Sequence, residues 1–111
     1  MVVFGGKIKR RILAIESDIR RARALAVESE IGSDIEIALD NIRADLTDLL
    51  AGKKLGFKIK TGKHIDAILD RMDDTVKVLL QAIEKADKKR ISVQLSLLRS
   101  QIGDLRTEFR R

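Results

Sequence analysis

The sequence contains no cysteine, proline, tryptophan or tyrosine, and phenylalanine, present three times, is its only aromatic residue. Without cysteine the chain forms no disulfide, has no thiolate nucleophile and offers no sulfur ligand to zinc. Proline interrupts helices and aromatic residues are enriched in strands, so their scarcity favours a nearly all-helical protein. No run of about 18 uncharged apolar residues suggests a transmembrane segment. No charged-then-apolar leader with a cleavage site is visible, so we expect a cytoplasmic protein.

Aliphatic residues recur at alternating steps of four and three in four separate runs. The runs are Ile8, Ile12, Ile15, Ile19, Ala22, Ala26; Ile35, Leu39, Ile42, Leu46, Leu49; Ile65, Leu69, Met72, Val76, Leu79, Ile83; and Ile91, Leu95, Leu98, Ile102, Leu105, Phe109. A mean spacing of about 3.5 residues is typical of helices that pack knobs-into-holes. The sequence therefore predicts an all-α protein, an antiparallel up-down four-helix bundle made of two helical hairpins.

The breaks between the runs divide a single domain, 1–111, into a hairpin at 7–52, a lysine-rich connector at 53–62 and a hairpin at 63–111. In the first hairpin, Gly32 suits the left-handed end of helix 1, while Ser33 caps helix 2 and Glu36 reaches back to it. No glycine marks the turn of the second hairpin. Asp87 is its best capping candidate, and one kinked continuous helix is the alternative there.

Two short segments are candidates for extended structure, and the second of them alternates apolar residues with glycine and lysine at a period of two. They span residues 2–4 and 56–60, and each is bounded by glycine-containing sequence. Such segments can pair as a short β-ribbon, although a two-stranded ribbon alone is marginally stable. The sequence therefore allows this ribbon as the one addition to the helices.

The positive charge of the chain is concentrated where four predicted helix ends meet. The net charge is +6, from 23 Lys and Arg against 17 Asp and Glu. In an up-down bundle, the start of helix 1, the end of helix 2, the start of helix 3 and the end of helix 4 lie at one end. The end of helix 4 contributes Arg106, Arg110 and Arg111. The basic residues of the other three segments form the predicted binding set, here called the basic pole: Lys7, Lys9, Arg10, Arg11, Lys53, Lys54, Lys58, Lys60 and Lys63.

The basic pole predicts an anionic partner. Bases at the start of helix 1 and before helix 3 oppose the helix dipole, which indicates a role other than helix stability. We predict contact with nucleic-acid phosphates without sequence specificity, ahead of other polyanions such as a lipid surface. A solvated basic end that serves solubility is the alternative.

No catalytic, metal or cofactor site is predicted, and we expect a non-enzymatic protein. The segment Gly56–Lys63 is reminiscent of a phosphate-binding loop, but five residues separate its glycines where four are required. His64 also stands where that loop needs Ser or Thr. The only histidine, His64, has Asp66 and Asp70 nearby at positions that do not converge on a helix.

Aliphatic residues outside the four heptad runs predict self-association. These residues are Leu13, Val27, Ile37, Val78, Val93 and Leu97. The predicted homo-oligomer interface, toward the end opposite the basic pole, comprises Val27, Ile31, Ile37, Val93 and Leu97.

The alternative function is a purely structural or self-assembling bundle, including an engineered one, which the four regular heptad runs favour. The surface lacks the repetitive Glu/Lys pairing of idealised designs, which opposes an engineered origin.

Overall fold

Four helices account for nearly all of the chain that the structure, a computed structural model, describes. The described residues are 3–51 and 62–110, with side chains given for 7–51 and 63–109. The helices are α1 (Val3–Glu28), α2 (Ser33–Ala51), α3 (Gly62–Glu84) and α4 (Lys88–Arg110). The predicted all-α four-helix bundle is confirmed.

The helices form two antiparallel hairpins that lie side by side. Helix α1 packs against α2 and α3, and α4 packs against α3 and α2. Helices α2 and α3, which follow one another in the chain, therefore lie across a diagonal of the bundle. Arg11 on α1 reaches Asp70 on α3, and Arg106 on α4 reaches Asp45 on α2, so each of these neighbouring pairs runs parallel.

The core is built from the four predicted runs of aliphatic residues. Every heptad residue in the four runs is buried except Phe109, which is half-buried at the end of α4. Helix α3 buries a second row, Ile68, Thr75 and Ala82, spaced seven residues apart. Within this row the Thr75 hydroxyl donates to the Arg71 carbonyl (2.9 Å) and accepts from the Gln101 side chain of α4 (3.0 Å). The second row widens the contact between α3 and α4.

Helix α1 ends in a Schellman motif, in which the chain folds back onto the last turn. The Ile31 N–H donates to the Ala26 carbonyl at 3.2 Å, and Glu30 takes the left-handed conformation with φ of 53°. Both Ile31 and Ala26 are buried. The prediction that Gly32 takes this position was wrong, because burial of Ile31 against the end of α1 fixes the turn two residues earlier.

Gly32 instead starts helix α2. Its carbonyl accepts a hydrogen bond from the Glu36 N–H at 3.3 Å, so Gly32, and not the predicted Ser33, occupies the N-cap position. Gly32 has φ of 140°, and a Cβ there would lie 2.7 Å from Oδ1 of Asp34. The backbone conformation therefore favours glycine, whereas the Asp34 carboxylate is the end of a flexible side chain that can move away from a Cβ.

The second hairpin has a true turn, so the alternative of one kinked helix was wrong. Ala86 is left-handed with φ of 53°, and the Asp87 N–H donates to the Ala82 carbonyl at 2.9 Å. The Asp87 carboxylate then accepts from the Arg90 N–H at 3.2 Å. Asp87 is therefore the N-cap of α4, as predicted.

The structure contradicts the first half of the predicted ribbon. Val3 and Phe4 belong to α1, and no strand occurs within 3–51 or 62–110. Extending an existing helix adds one backbone hydrogen bond per residue, whereas a short strand gains nothing without a partner. Residues 2 and 56–60, the rest of that prediction, lie outside the described residues.

Candidate nucleic-acid interface

The two hairpins bring the basic segments of α1 and α3 to one end of the bundle. Helices α1 and α3 run parallel, and both begin at this end. Lys7, Lys9 and Arg10 lie on α1, Lys63 lies in the first turn of α3, and all four side chains are exposed. Among the described side chains, no carboxylate comes within 4.0 Å of any of the four. Their charge therefore faces solvent unpaired in this part of the molecule.

Arg11 differs from the other cations of the basic pole because aspartates of α3 already hold it. Its guanidinium lies 2.7 Å from Asp70, 2.9 Å from Asp73 and 3.5 Å from Asp66, and its side chain is 24% exposed. Burial alone would lower the Arg11 pKa, but hydrogen bonds to Asp70 and Asp73 raise it above its ordinary value. Arg11 joins α1 to α3, and we leave it out of the binding surface.

Four lysines of the basic pole belong to the segment between α2 and α3. Lys53, Lys54, Lys58 and Lys60 fall in 52–61, outside the described residues. Helix α2 ends at Ala51 and α3 begins at Gly62. These two flanking ends lie at the end of the bundle that carries Lys7, which is the arrangement the charge argument needs.

The two ends of the bundle differ in how their charges are mixed. The first turns of α1 and α3 contain no acidic residue. At the opposite end the first turn of α2 contains Asp34 and Glu36, whereas that of α4 contains no acidic residue. The opposite end also carries the two turns, so exposed acidic and basic residues occur together there. Those residues are Glu28, Glu30, Asp34, Glu84, Lys85, Asp87, Lys88, Lys89 and Arg90. Close acids reduce the attraction that this opposite end exerts on a polyanion.

A polar groove between α3 and α4 limits the cationic surface on one side. His64 and Arg71 of α3 line it together with Asp104 and Glu108 of α4. Two carboxylates disfavour a phosphate here by charge repulsion. The groove therefore does not extend the exposed cationic surface formed by Lys7, Lys9 and Arg10 of α1.

The sequence analysis did not predict that the carboxylate of Glu16 is buried, and buried ionisable groups are frequent at functional sites. The Glu16 side chain on α1 is 7% exposed and accepts hydrogen bonds from Arg43 of α2 and Arg20 of α1, each at 2.9 Å. Burial alone would raise the Glu16 pKa, but the two arginines lower it below its ordinary value. Glu16 is therefore ionised and paired, which suits an anchor between helices and not an acid or base in catalysis.

Most of the predicted spare apolar residues are exposed. Leu13, Val27, Ile37, Val93 and Leu97 range from 43% to 58% exposed, while Val78 is half-buried. Ile31, also assigned to the predicted interface, is 3% exposed because it completes the turn after α1. We therefore remove Ile31 from that interface.

Other site classes find no support in the described residues. In the two described ranges, no group of His, Asp and Glu side chains is arranged to hold a metal ion. No helix there combines the length and apolar character needed to cross a bilayer. Comparisons with protein-family models, with curated proteins and with solved structures found no match.

Proposed function

We propose that this protein is a non-enzymatic binding module whose basic pole holds nucleic-acid phosphates without sequence specificity. One observation carries the proposal. Lys7, Lys9 and Arg10 of α1 are exposed at the same end of the bundle as Lys63 of the parallel α3, and no described carboxylate lies within 4.0 Å of them. Each such cation can neutralise one phosphate and release its counterion. The proposal requires a compartment that contains nucleic acid, such as the cytoplasm.

The composition supports phosphate contact in preference to base recognition. Phenylalanine is the only aromatic residue and occurs three times, which gives little surface for base stacking. Contacts to phosphates position a protein on a duplex but carry no sequence information directly.

The number of phosphate contacts predicts how strongly the association constant should depend on salt. Four phosphate contacts predict a slope of about −3.6 for the logarithm of the association constant against the logarithm of salt concentration. Affinity should then fall about 150-fold between about 50 and about 200 mM salt. The measurement is fluorescence anisotropy with a labelled duplex of random sequence.

A pair of charge-matched variants tests the position of the surface. The binding variant replaces Lys7, Lys9 and Arg10 by glutamine. The control replaces Lys85, Lys89 and Arg90 by glutamine, so it also removes two lysines and one arginine, all exposed but at the opposite end. The first variant should make the slope shallower by about 2.7, and the control should keep it. Equal changes in both variants, or no binding by the natural sequence near 50 mM salt, would overturn the proposal.

A purely structural or self-assembling bundle is the second candidate function. Exposed Val93 and Leu97, one turn apart on α4, are the observation that favours it. A flat salt slope together with concentration-dependent assembly, measured by light scattering, would select this candidate.

A further inference from the structure

The buried carboxylate of Glu16 holds two arginine side chains next to each other. Its Oε1 accepts a hydrogen bond from Nη2 of Arg20 on α1, and its Oε2 accepts one from Nε of Arg43 on α2, each at 2.9 Å. Each guanidinium uses one nitrogen in this contact and has further N–H donors. The Arg20 and Arg43 side chains are 56% and 45% exposed. These three residues, here called the Glu16 cluster, therefore carry one net positive charge at the surface.

The Glu16 cluster lies on the same side of α1 as Lys9 of the basic pole. Arg20 follows Lys9 by 11 residues, which is three helical turns, so both side chains project from one side of α1 about 16 Å apart. The contact between Glu16 and Arg43 shows that this side faces α2. The exposed residue Leu13, between the two cations on this side, is uncharged. A cationic path therefore leads from the basic pole along the α1–α2 side of the bundle.

Acidic residues oppose an equivalent path along the other sides. Between α1 and α3, three aspartates surround the single guanidinium of Arg11, which leaves a net negative charge. Between α3 and α4, the polar groove contains two carboxylates beside His64 and Arg71. Between α2 and α4, Arg106 faces Asp45 at 3.8 Å, so these two charges cancel. Among the described side chains, the Glu16 cluster is the ion-pair group in which arginines outnumber carboxylates.

We propose, resting on the function proposed above, that the nucleic acid extends from the basic pole along the α1–α2 side and that Arg20 and Arg43 contact its phosphates. A planar guanidinium can offer two parallel N–H donors to the oxygens of one phosphate. Glu16 acts as a positioning residue, because it holds both arginines before the phosphate arrives and so reduces the conformational entropy lost on binding. The path ends about one turn later, where Arg23 and Asp40 pair at 2.6 Å and neutralise each other.

Two neighbouring arginines of α1 provide a matched test. Arg20→Gln removes a cation of the Glu16 cluster, whereas Arg21→Gln removes an equally charged, exposed cation that contacts Asp18 instead. The probe is the labelled random-sequence duplex, followed by fluorescence anisotropy at several salt concentrations. Arg20→Gln should make the logarithmic salt slope shallower by about 0.9, and Arg21→Gln should keep the slope of the natural chain. Both variants should stay folded by circular dichroism, because Arg43 still joins α2 to Glu16.

The conservative variant Arg20→Lys separates the loss of a phosphate contact from a disturbed fold. Lysine keeps the cation that releases a counterion, so the salt slope should return to that of the natural chain. The affinity at fixed salt should stay below that of the natural chain, because lysine lacks the planar fork of donors. Equal slopes for Arg20→Gln and Arg21→Gln, or no return of the slope in Arg20→Lys, would overturn the contact at the Glu16 cluster.

The glutamine variant of Lys7, Lys9 and Arg10 distinguishes a wrong path from a wrong function. If that variant makes the slope shallower while Arg20→Gln does not, the basic pole binds nucleic acid and the path along the α1–α2 side is refuted. If the natural chain does not bind the duplex near 50 mM salt, both the function and the path are refuted.

Discussion

Replacing Arg43 by glutamine is expected to destabilise the bundle, because it leaves a buried carboxylate with one partner instead of two. Glu16 of α1 lies between Arg43 of α2 and Arg20 of its own helix, with 2.9 Å to each. The link to Arg43 is the one that joins two helices. The variant therefore tests whether Glu16 acts as an anchor between α1 and α2.

The expected loss of unfolding free energy follows from the burial of the Glu16, Arg43 and Arg20 side chains. Removing one partner of a fully buried ion pair costs about 3–5 kcal/mol. Here Glu16 is 7% exposed, but the Arg43 and Arg20 side chains are 45% and 56% exposed, and Arg20 stays in place. Solvent screening and the remaining partner reduce the expected loss to about 1–2 kcal/mol of unfolding free energy near neutral pH. The melting temperature should fall by about 4–8 °C.

The loss of unfolding free energy in Arg43→Gln should depend on pH, and the Glu16 pKa gives the direction of that dependence. The folded-state pKa of Glu16 is lowered from its ordinary value of 4.5, so its ionised form stabilises the fold above that pH. This stabilisation is lost as the pH falls through the folded-state pKa. Urea unfolding of the natural chain and of Arg43→Gln should therefore differ near neutral pH and converge well below pH 4.5.

An exposed ion pair on the same helix supplies the control. Arg21 contacts Asp18 at 3.3 Å, with side chains 71% and 39% exposed. Arg21→Gln should change the unfolding free energy by less than about 0.5 kcal/mol. If Arg21→Gln and Arg43→Gln have equal effects, or if the effect of Arg43→Gln is independent of pH, the assignment of Glu16 as an anchor is refuted.

Four further substitutions test the local structure by thermal or urea unfolding. Glu30→Gly and Ala86→Gly should each stabilise the chain by about 0.5–1 kcal/mol, because both positions are left-handed at φ 53°; a loss of stability would contradict the left-handed conformation at these two positions. Gly103→Ala should stabilise α4 by about 0.5–1 kcal/mol, since a Cβ there meets nothing within 4 Å; destabilisation would show that the position is crowded. Asp87→Ala should cost about 1 kcal/mol through loss of the N-cap, and an unchanged stability would refute that role.

The heptad pattern predicted the core well because each helix buries one narrow stripe. Leu39 and Leu69, for example, are fully buried as expected. The wider face of α3 was not predicted, because Thr75, a polar residue, interrupts the row that also contains Ile68 and Ala82. Its burial depends on the hydrogen bond from Gln101 on another helix, which periodicity along one helix cannot reveal.

The turns were located correctly but their left-handed residues were not. Sequence preferences favour glycine at such positions, and Gly32 was therefore assigned to the first turn. The structure places Glu30 there, and Ala86 in the second turn. Burial of Ile31 decides the first turn, and this tertiary contact outweighs the local cost of a left-handed non-glycine residue.

The structure places Lys7, Lys9, Arg10, Arg11 and Lys63 toward one end of the bundle, and the sequence did not reveal which of these cations is already paired. Arg11 is 59 residues from Asp70 in the chain, and their contact depends on the parallel packing of α1 against α3. Single-sequence periodicity gives each helix a buried face, but it does not state which neighbour lies beside that face. The same limit explains why Glu16 and Arg43 were not recognised as partners.

The most direct test of the central claim is to map where nucleic acid contacts the folded chain. A random-sequence duplex is added to isotopically labelled protein, and backbone amide shifts are followed by two-dimensional NMR. The account predicts that amides around Lys7–Arg10 and Lys63 move most, while those of the turns at 29–32 and 85–87 stay in place. Shifts centred on the turns, or no shifts at low salt, would contradict a phosphate-binding basic pole.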